Sequence, residues 1–159
     1  MTAPRTPAAR SRYAPPPPSA IAIEMEVPFH DVDVLEIAWH GHYPKYLELA
    51  RTALVRSRRL DNAEMRELGY RFYVSEYHLR HLSPLRYGDR VRVSAWPVEV
   101  QNRIRIDYQV QNLTLDKLAA QGWTMLVTTH AGGELCLETP APILERLCAP
   151  GPGSAGPAT

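Results

Sequence analysis

The residues best suited to chemistry crowd into one polar stretch, where His30, Asp31, Asp33, Glu36, His40 and His42 lie between Phe29 and Tyr43. Three kinds of chemistry compete for such a set. A carboxylate ahead of a helix can work as general base or nucleophile. The unpaired N–H groups and the dipole at the helix start would stabilise an oxyanion formed beside it, and Asp33 holds that position. As plain loop or capping residues, Asp31 and Asp33 would do no more than close a turn. The third option is a metal shell of His30, Asp31, Asp33, His40 and His42, whose residue types suit Zn²⁺ or Fe²⁺. Their His-x-Asp spacing matches no firm ligand motif.

Other catalytic signatures are missing. The GxSxG elbow, the P-loop and GxGxxG are absent. Cys136 and Cys148 form no CxxC and have no activating neighbours, so they read as core or tail rather than metal ligands or a disulfide. Arg56, Arg58 and Arg59 would either contact phosphates or complement the dipole at a helix end. Glu48 and Arg51 read as an ion pair three residues apart on a helix, with Glu48 as a catalytic acid the alternative.

The elements that must position these residues follow from periodicity. Ile21 to Phe29 alternates loosely and predicts a first strand. Tyr43 to Arg59 predicts the main helix, with Tyr43, Tyr46, Leu47, Ala50, Ala53 and Leu54 on one apolar stripe and Pro44 in the first turn. A short helix is expected over Asp61 to Leu68, capped by Gly69. Strands follow at Arg71 to Leu82, Val91 to Val100, Ile104 to Val110 and Ala119 to His130. Pro97 marks a bulge or an edge. Gly132-Gly133 turns into a last short strand at Leu135 to Leu137, and Pro140 to Leu147 predicts a terminal turn of helix. One strand, a long helix and a run of strands joined by short turns describe an α+β domain, its helix covering one face of an antiparallel sheet.

Composition sets the limits. The 159 residues favour one domain. Residues 1–20 are rich in proline and lack any acidic residue, and residues 149–159 are Gly, Ser, Ala, Pro and Thr; both read as solvated tails around a domain at 21–148. A formal net charge of +1 argues against a nucleic-acid partner. With no apolar run of about 18 residues and no apolar segment behind the N-terminal arginines, neither a membrane partner nor a secretory signal is expected, and the cytoplasm is the expected compartment.

Phe29-His30-Asp31-Val32-Asp33, then Ile37-Ala38-Trp39 and His40-Gly41-His42-Tyr43, resembles the signature of the 4-hydroxybenzoyl-CoA thioesterase-like hotdog proteins. Tyr46 to Arg51, Leu68-Gly69 and Arg80 to Asp89 are similar to that family's helix, turn and strand, so the likeness runs from about Val27 to Leu137. The resemblance implies a hotdog fold, a long helix wrapped by an antiparallel sheet. It also implies homodimers or homotetramers built by edge-to-edge sheet pairing, with active sites at the dimer interface. By the same resemblance Asp33 is the catalytic nucleophile or general base, and the His40 backbone N–H polarises the thioester carbonyl. Trp39, His42 and Tyr43 become candidates for substrate contact, with Tyr46 and Tyr73 as further candidate walls. The implied substrate is an acyl-CoA or an acyl-carrier-protein, hydrolysed with no cofactor and no metal. A non-catalytic acyl-thioester binder and a hotdog hydratase are the alternatives. The chain departs from the pattern at Glu36, where the family often has glycine, and at His42, where it has asparagine or serine.

Overall fold

The computed structural model describes residues 14–150. Five strands form one antiparallel sheet, β1 (Ile21–Glu26), β2 (Tyr70–His81), β3 (Arg90–Glu99), β4 (Ile104–Asn112) and β5 (Lys117–His130), in the order β1-β3-β4-β5-β2. Three helices join them: α1 (Tyr43–Ser57), α2 (Asn62–Leu68) and α3 (Ala141–Cys148). The helix and strand expectations hold to within a few residues, except at Leu135 to Leu137. There β5 meets only an isolated bridge at Leu135, and both leucines stay exposed, too few residues after the Gly132-Gly133 turn to build a ladder. Most of the two proposed tails lies outside the described residues. Within residues 14–20 a turn closes where the Ala20 N–H donates to the Pro17 carbonyl at 2.9 Å.

The α1 stripe does what its spacing requires. Tyr43, Tyr46, Leu47, Ala50 and Leu54 are buried against Val91, Val93 and Ala95 of β3 and Ile104, Ile106, Tyr108 and Val110 of β4. At roughly 1.5–3 kcal/mol for each large side chain, this layer is the main stabilising term. The polar partners of Ile104, Ile106, Tyr108 and Val110 face the other side, as period two dictates. Pro97 sits at a register shift beyond the end of β1, so its missing N–H leaves no partner unpaired. Gly122 allows β5 to run close to β2: a Cβ there would lie 2.4 Å from the His78 carbonyl oxygen.

Asp61 caps α2 through the Asn62 N–H, and Gly69 ends it at φ 83°. Arg56 pairs with Asp61 at 2.8 Å, buried Arg58 donates to the Ala149 carbonyl, and Glu48 pairs with Arg51, so these charges serve helix ends and neighbouring turns.

One connection positions the polar stretch. Because β2 and β3 are not neighbours, residues 82–89 must cross beneath the sheet, and they run alongside residues 27–39. The Val27 N–H donates to Asp89, the Gly88 N–H to Val27 and the Ala38 N–H to Leu85, at 2.8–3.0 Å. Leu85 is fully buried. The Asp89 carboxylate accepts from the Arg86 N–H and from Asn112 of β4, each at 2.8 Å, which ties the crossover to the sheet.

Candidate active site

The two aspartates of the Asp-x-Asp step do different work. Asp31 is completely buried, and its carboxylate accepts from the Lys45 ammonium at 2.6 and 2.9 Å and from the Tyr46 hydroxyl at 2.6 Å. Burial pushes the Asp31 carboxyl up, but the Lys45 and Tyr46 hydrogen bonds outweigh it and hold the group below the usual range. Burial and the bond to Asp31 push the Tyr46 phenol well up. This knot fastens the first turn of α1 to the chain just ahead of Asp33.

Asp33 is half-buried and opens a tight loop. Its N–H donates to Ile37 at 3.0 Å, Val32 and Ala38 form a bridge, and Asp33 Oδ1 accepts from the Leu35 N–H at 2.8 Å. That leaves Oδ2 without a hydrogen bond among the described residues. Glu36 closes the turn at φ 62° with its N–H on the Asp33 carbonyl at 2.9 Å. This left-handed conformation, unfavourable for a side-chain-bearing residue by about 1–2 kcal/mol, explains why glycine is frequent at this position in the family that the motif resembles. Glu36→Gly is therefore expected to raise stability, by about 0.5–1 kcal/mol once the greater freedom of an unfolded glycine is subtracted. Urea unfolding checks it, and a lower midpoint would show that the Glu36 side chain makes a contribution larger than its strain.

Asp33, His40 and Tyr43 share a cleft of about 450 Å³, whose other walls include Leu35, Ile37 and Pro84. His40 opens a short 3-10 turn, His40–His42, that runs directly into α1, and its N–H donates to none of the described residues. An unpaired N–H at a helix start, beside a carboxylate and in a mainly apolar cleft, suits a developing oxyanion. Buried Tyr43 forms the floor, its phenol pushed up to about 12 by burial, against a Leu85 backbone hydrogen bond that lowers it.

Trp39 and His42 do not line this cleft. The Trp39 ring lies between those of His40 and His42, with centroids at 5.1 and 5.3 Å, and His42 Nε2 faces Asp31 Oδ1 at 3.8 Å. His30 Nε2 faces the same oxygen at 3.5 Å. The five residues weighed as a metal shell thus divide, with His30 and His42 around Asp31 and with Asp33 and His40 on the cleft. Tyr46 belongs to the Asp31 knot, and Tyr73 lies at the other end of β2.

His81 is the cleft residue that sequence reasoning did not single out. Its ring meets Tyr43 edge-on at 4.4 Å, and burial, then the charge of nearby His40, lower its pKa. Strict alternation from Phe72 would turn His81 outward. A register shift between Val74 and Glu76 flips the parity, so that Leu79 and His81 face the helix side with Phe72.

Comparison with known proteins bears on the family and the fold. A Bacillus subtilis (strain 168) protein carrying the provisional name acyl-CoA thioesterase YneP is 28% identical over 85 residues, 54% of this chain and 61% of that protein. The Synechocystis protein provisionally named esterase sll0410 is 27% identical over 128 residues, 79% of this chain and 76% of that protein. The crystal structure of Slr0204, a 1,4-dihydroxy-2-naphthoyl-CoA thioesterase from Synechocystis, superposes with a TM-score of 0.72 at 17% identity, covering 81% of this chain and 96% of that one, which establishes the shared hotdog fold. The sequence profile of the thioesterase-like superfamily matches residues 27–148, which include Asp33, the helix start at His40 and all five strands but β1, and the chain belongs to that superfamily.

Proposed function

We propose that the protein is a thioester hydrolase that cleaves an acyl-CoA into a free acid and coenzyme A. The observation that carries this reading is the meeting of Asp33 with the unpaired His40 N–H on one apolar cleft. A thioester bound there has its carbonyl oxygen on the His40 N–H, which gains strength as charge develops on that oxygen. Asp33 Oδ2 either attacks the carbonyl carbon or takes a proton from an attacking water, while the Leu35 N–H on Oδ1 keeps the carboxylate aimed. The C–S bond then breaks and the thiolate leaves; in the base route it takes up the proton that Asp33 drew from water, and in the nucleophilic route water hydrolyses the acyl–Asp33 anhydride, which releases the acid and restores the carboxylate. Thiols are far more acidic than alcohols, with a pKa of about 8.5 for a cysteine side chain, so a thiolate leaves readily. The names of the relatives favour coenzyme A as the thiol; a carrier-protein pantetheine presents the same thioester.

The working unit in this reading is a homodimer. β2 is an edge strand of 12 residues that exposes Tyr73, Val74 and Tyr77 along an unpaired ladder, an arrangement that invites pairing with a second copy. No helix among the described residues is long and apolar enough to cross a membrane.

Thiol release from a panel of acyl-CoAs and acyl-carrier-proteins, measured on material whose mass is determined by light scattering, tests the proposal. Turnover by a species of at least twice 17.9 kDa is expected. Folded protein that binds acyl thioesters tightly and releases no thiol from any would instead be a binding protein.

A further inference from the structure

The Asp33 cleft is shut towards the core, where Tyr43 and Leu85 are both buried. An acyl group held by its thioester at Asp33 and the His40 N–H must therefore extend along the surface, and β2 supplies an apolar path. Helix α1 and β2 run antiparallel here. Tyr43 at the start of the helix meets His81 at the end of the strand. Further along the helix, Glu48 to Val55 share a pocket with Tyr70 to Val74 at the start of the strand.

Between these two points β2 presents Tyr77 and Leu79 to the helix side. Tyr77 pairs with Thr124, whose hydroxyl bonds to buried Tyr108, and Leu79 pairs with Gly122 and packs against the core. Paired residues of neighbouring strands share a face, so Tyr77, Leu79 and His81 form one row. The register shift between Val74 and Glu76 puts them there. Leu79 is half-buried, but Tyr77 stands 58% exposed at the sheet edge, outside the buried layer under α1. Its phenol has no hydrogen-bond partner among the described residues.

Past Tyr77 the surface changes character. The Glu48–Arg51 ion pair and Thr52 line the space between α1 and the Tyr70–Val74 end of β2. A hydrocarbon laid there would strip water from charged groups and offer them nothing in return.

We infer that Tyr77 ends the acyl site: a straight acyl chain leaves the Asp33 cleft past His81, lies on Leu79 and stops against the Tyr77 ring. The four-residue step from His81 to Tyr77 spans about 13 Å, close to the length of an extended decanoyl chain. The preferred substrates are therefore medium-chain aliphatic thioesters. This rests on the thioesterase reading above and adds to it the acyl class and the residue that measures it. In the homodimer of that reading, pairing along β2 covers the open flank of the chain.

The test is a chain-length profile of kcat/KM over even-numbered saturated acyl-CoAs from butyryl to palmitoyl. In wild type the value is expected to rise roughly three- to fourfold per added methylene, reach its maximum at octanoyl or decanoyl, and fall beyond. Tyr77→Ala should move the maximum to dodecanoyl or longer, and Tyr77→Trp should move it to shorter chains, both at wild-type mass by light scattering. Should the alanine variant lose the wild-type mass, the tryptophan variant decides. A flat wild-type profile, a maximum at either end of the series, or a maximum unmoved by both substitutions overturns the inference and leaves the thioesterase reading intact. A second readout needs no turnover: calorimetric titration with S-alkyl-CoA thioethers of the same lengths. Affinity that climbs with chain length, breaks near S-decyl-CoA and breaks later in Tyr77→Ala supports the assignment. Affinity independent of chain length, or no binding of any thioether, overturns it. If folded wild type cleaves no thioester, the hydrolase reading fails, and the thioether titration alone decides whether Tyr77 bounds a chain site.

Discussion

Asp33→Asn is expected to lower kcat/KM for thioester hydrolysis by about 10²–10⁴-fold, the range for loss of a positioned base, and to leave the melting temperature within a degree or two of wild type. Asparagine keeps the size of the side chain and retains a carbonyl oxygen for the Leu35 N–H, so the loop from Val32 to Ala38 keeps its turn. Only the charge and the nucleophilic oxygen disappear. This makes the asparagine variant more informative than alanine, which would remove the turn contact too. Stopped assays of thiol release beside a thermal melt check both halves of the expectation. Unaltered turnover in a folded variant would remove Asp33 from the reaction and leave the cleft as a binding site.

Asp31→Asn, two residues away, should behave in the opposite way. Its expected effect is a loss of roughly 3 kcal/mol of stability, typical for breaking a buried ion pair by removing one partner. Lys45 is about half exposed and can recover part of its hydration, which places the loss at the lower end of that class. Turnover per folded molecule should fall much less than in Asp33→Asn. The pH dependence gives an independent check. A carboxyl whose folded pKa lies below its unfolded value, near 3.9, contributes stability that is complete above that value and is lost as pH falls through the folded one. Wild type should therefore lose stability more steeply than Asp31→Asn below about pH 4, and urea midpoints measured from pH 6 downward would show the two curves converging. Parallel curves would mean that the Asp31 carboxylate carries little net energy despite its three short hydrogen bonds.

The residue types alone do not separate these two expectations, although the family resemblance of the motif singles out Asp33. Asp31 and Asp33 have the same chemistry and sit two apart in a polar stretch, so the residues by themselves left catalysis, turn closure and metal binding all open. What distinguishes them is the partner each meets. Asp31 meets Lys45 and Tyr46, one turn into α1, whereas Asp33 faces a cleft whose far wall comes from residues 81–84. Trp39 and His42 illustrate the same limit. They flank His40 in sequence, but the 3-10 turn at His40–His42 sends His42 towards Asp31 and lays Trp39 between the two imidazoles.

Local chemistry, by contrast, decided a great deal without help from distant contacts. The stripe from Tyr43 to Leu54 specified α1 and its buried face, because one turn of helix repeats every 3.6 residues whatever it packs on. Period two across Ile104 to Val110 specified β4 and its inner face, and Gly69 specified the end of α2, since few other residues enter the left-handed region without cost. The Asp33-to-Tyr43 segment pointed to the site because a carboxylate ahead of a helix N-terminus is a local arrangement. Tertiary structure decided the rest. The bulge between Val74 and Glu76 reversed the faces of β2 and delivered His81 to the cleft. The crossover at 82–89 built the cleft wall and pinned the loop through Leu85. The unpaired edge of β2 left two pockets at its opposite ends. Each of these depends on which strands become neighbours, and strand order is set by the packing of the whole sheet on α1 rather than by any short stretch of the chain.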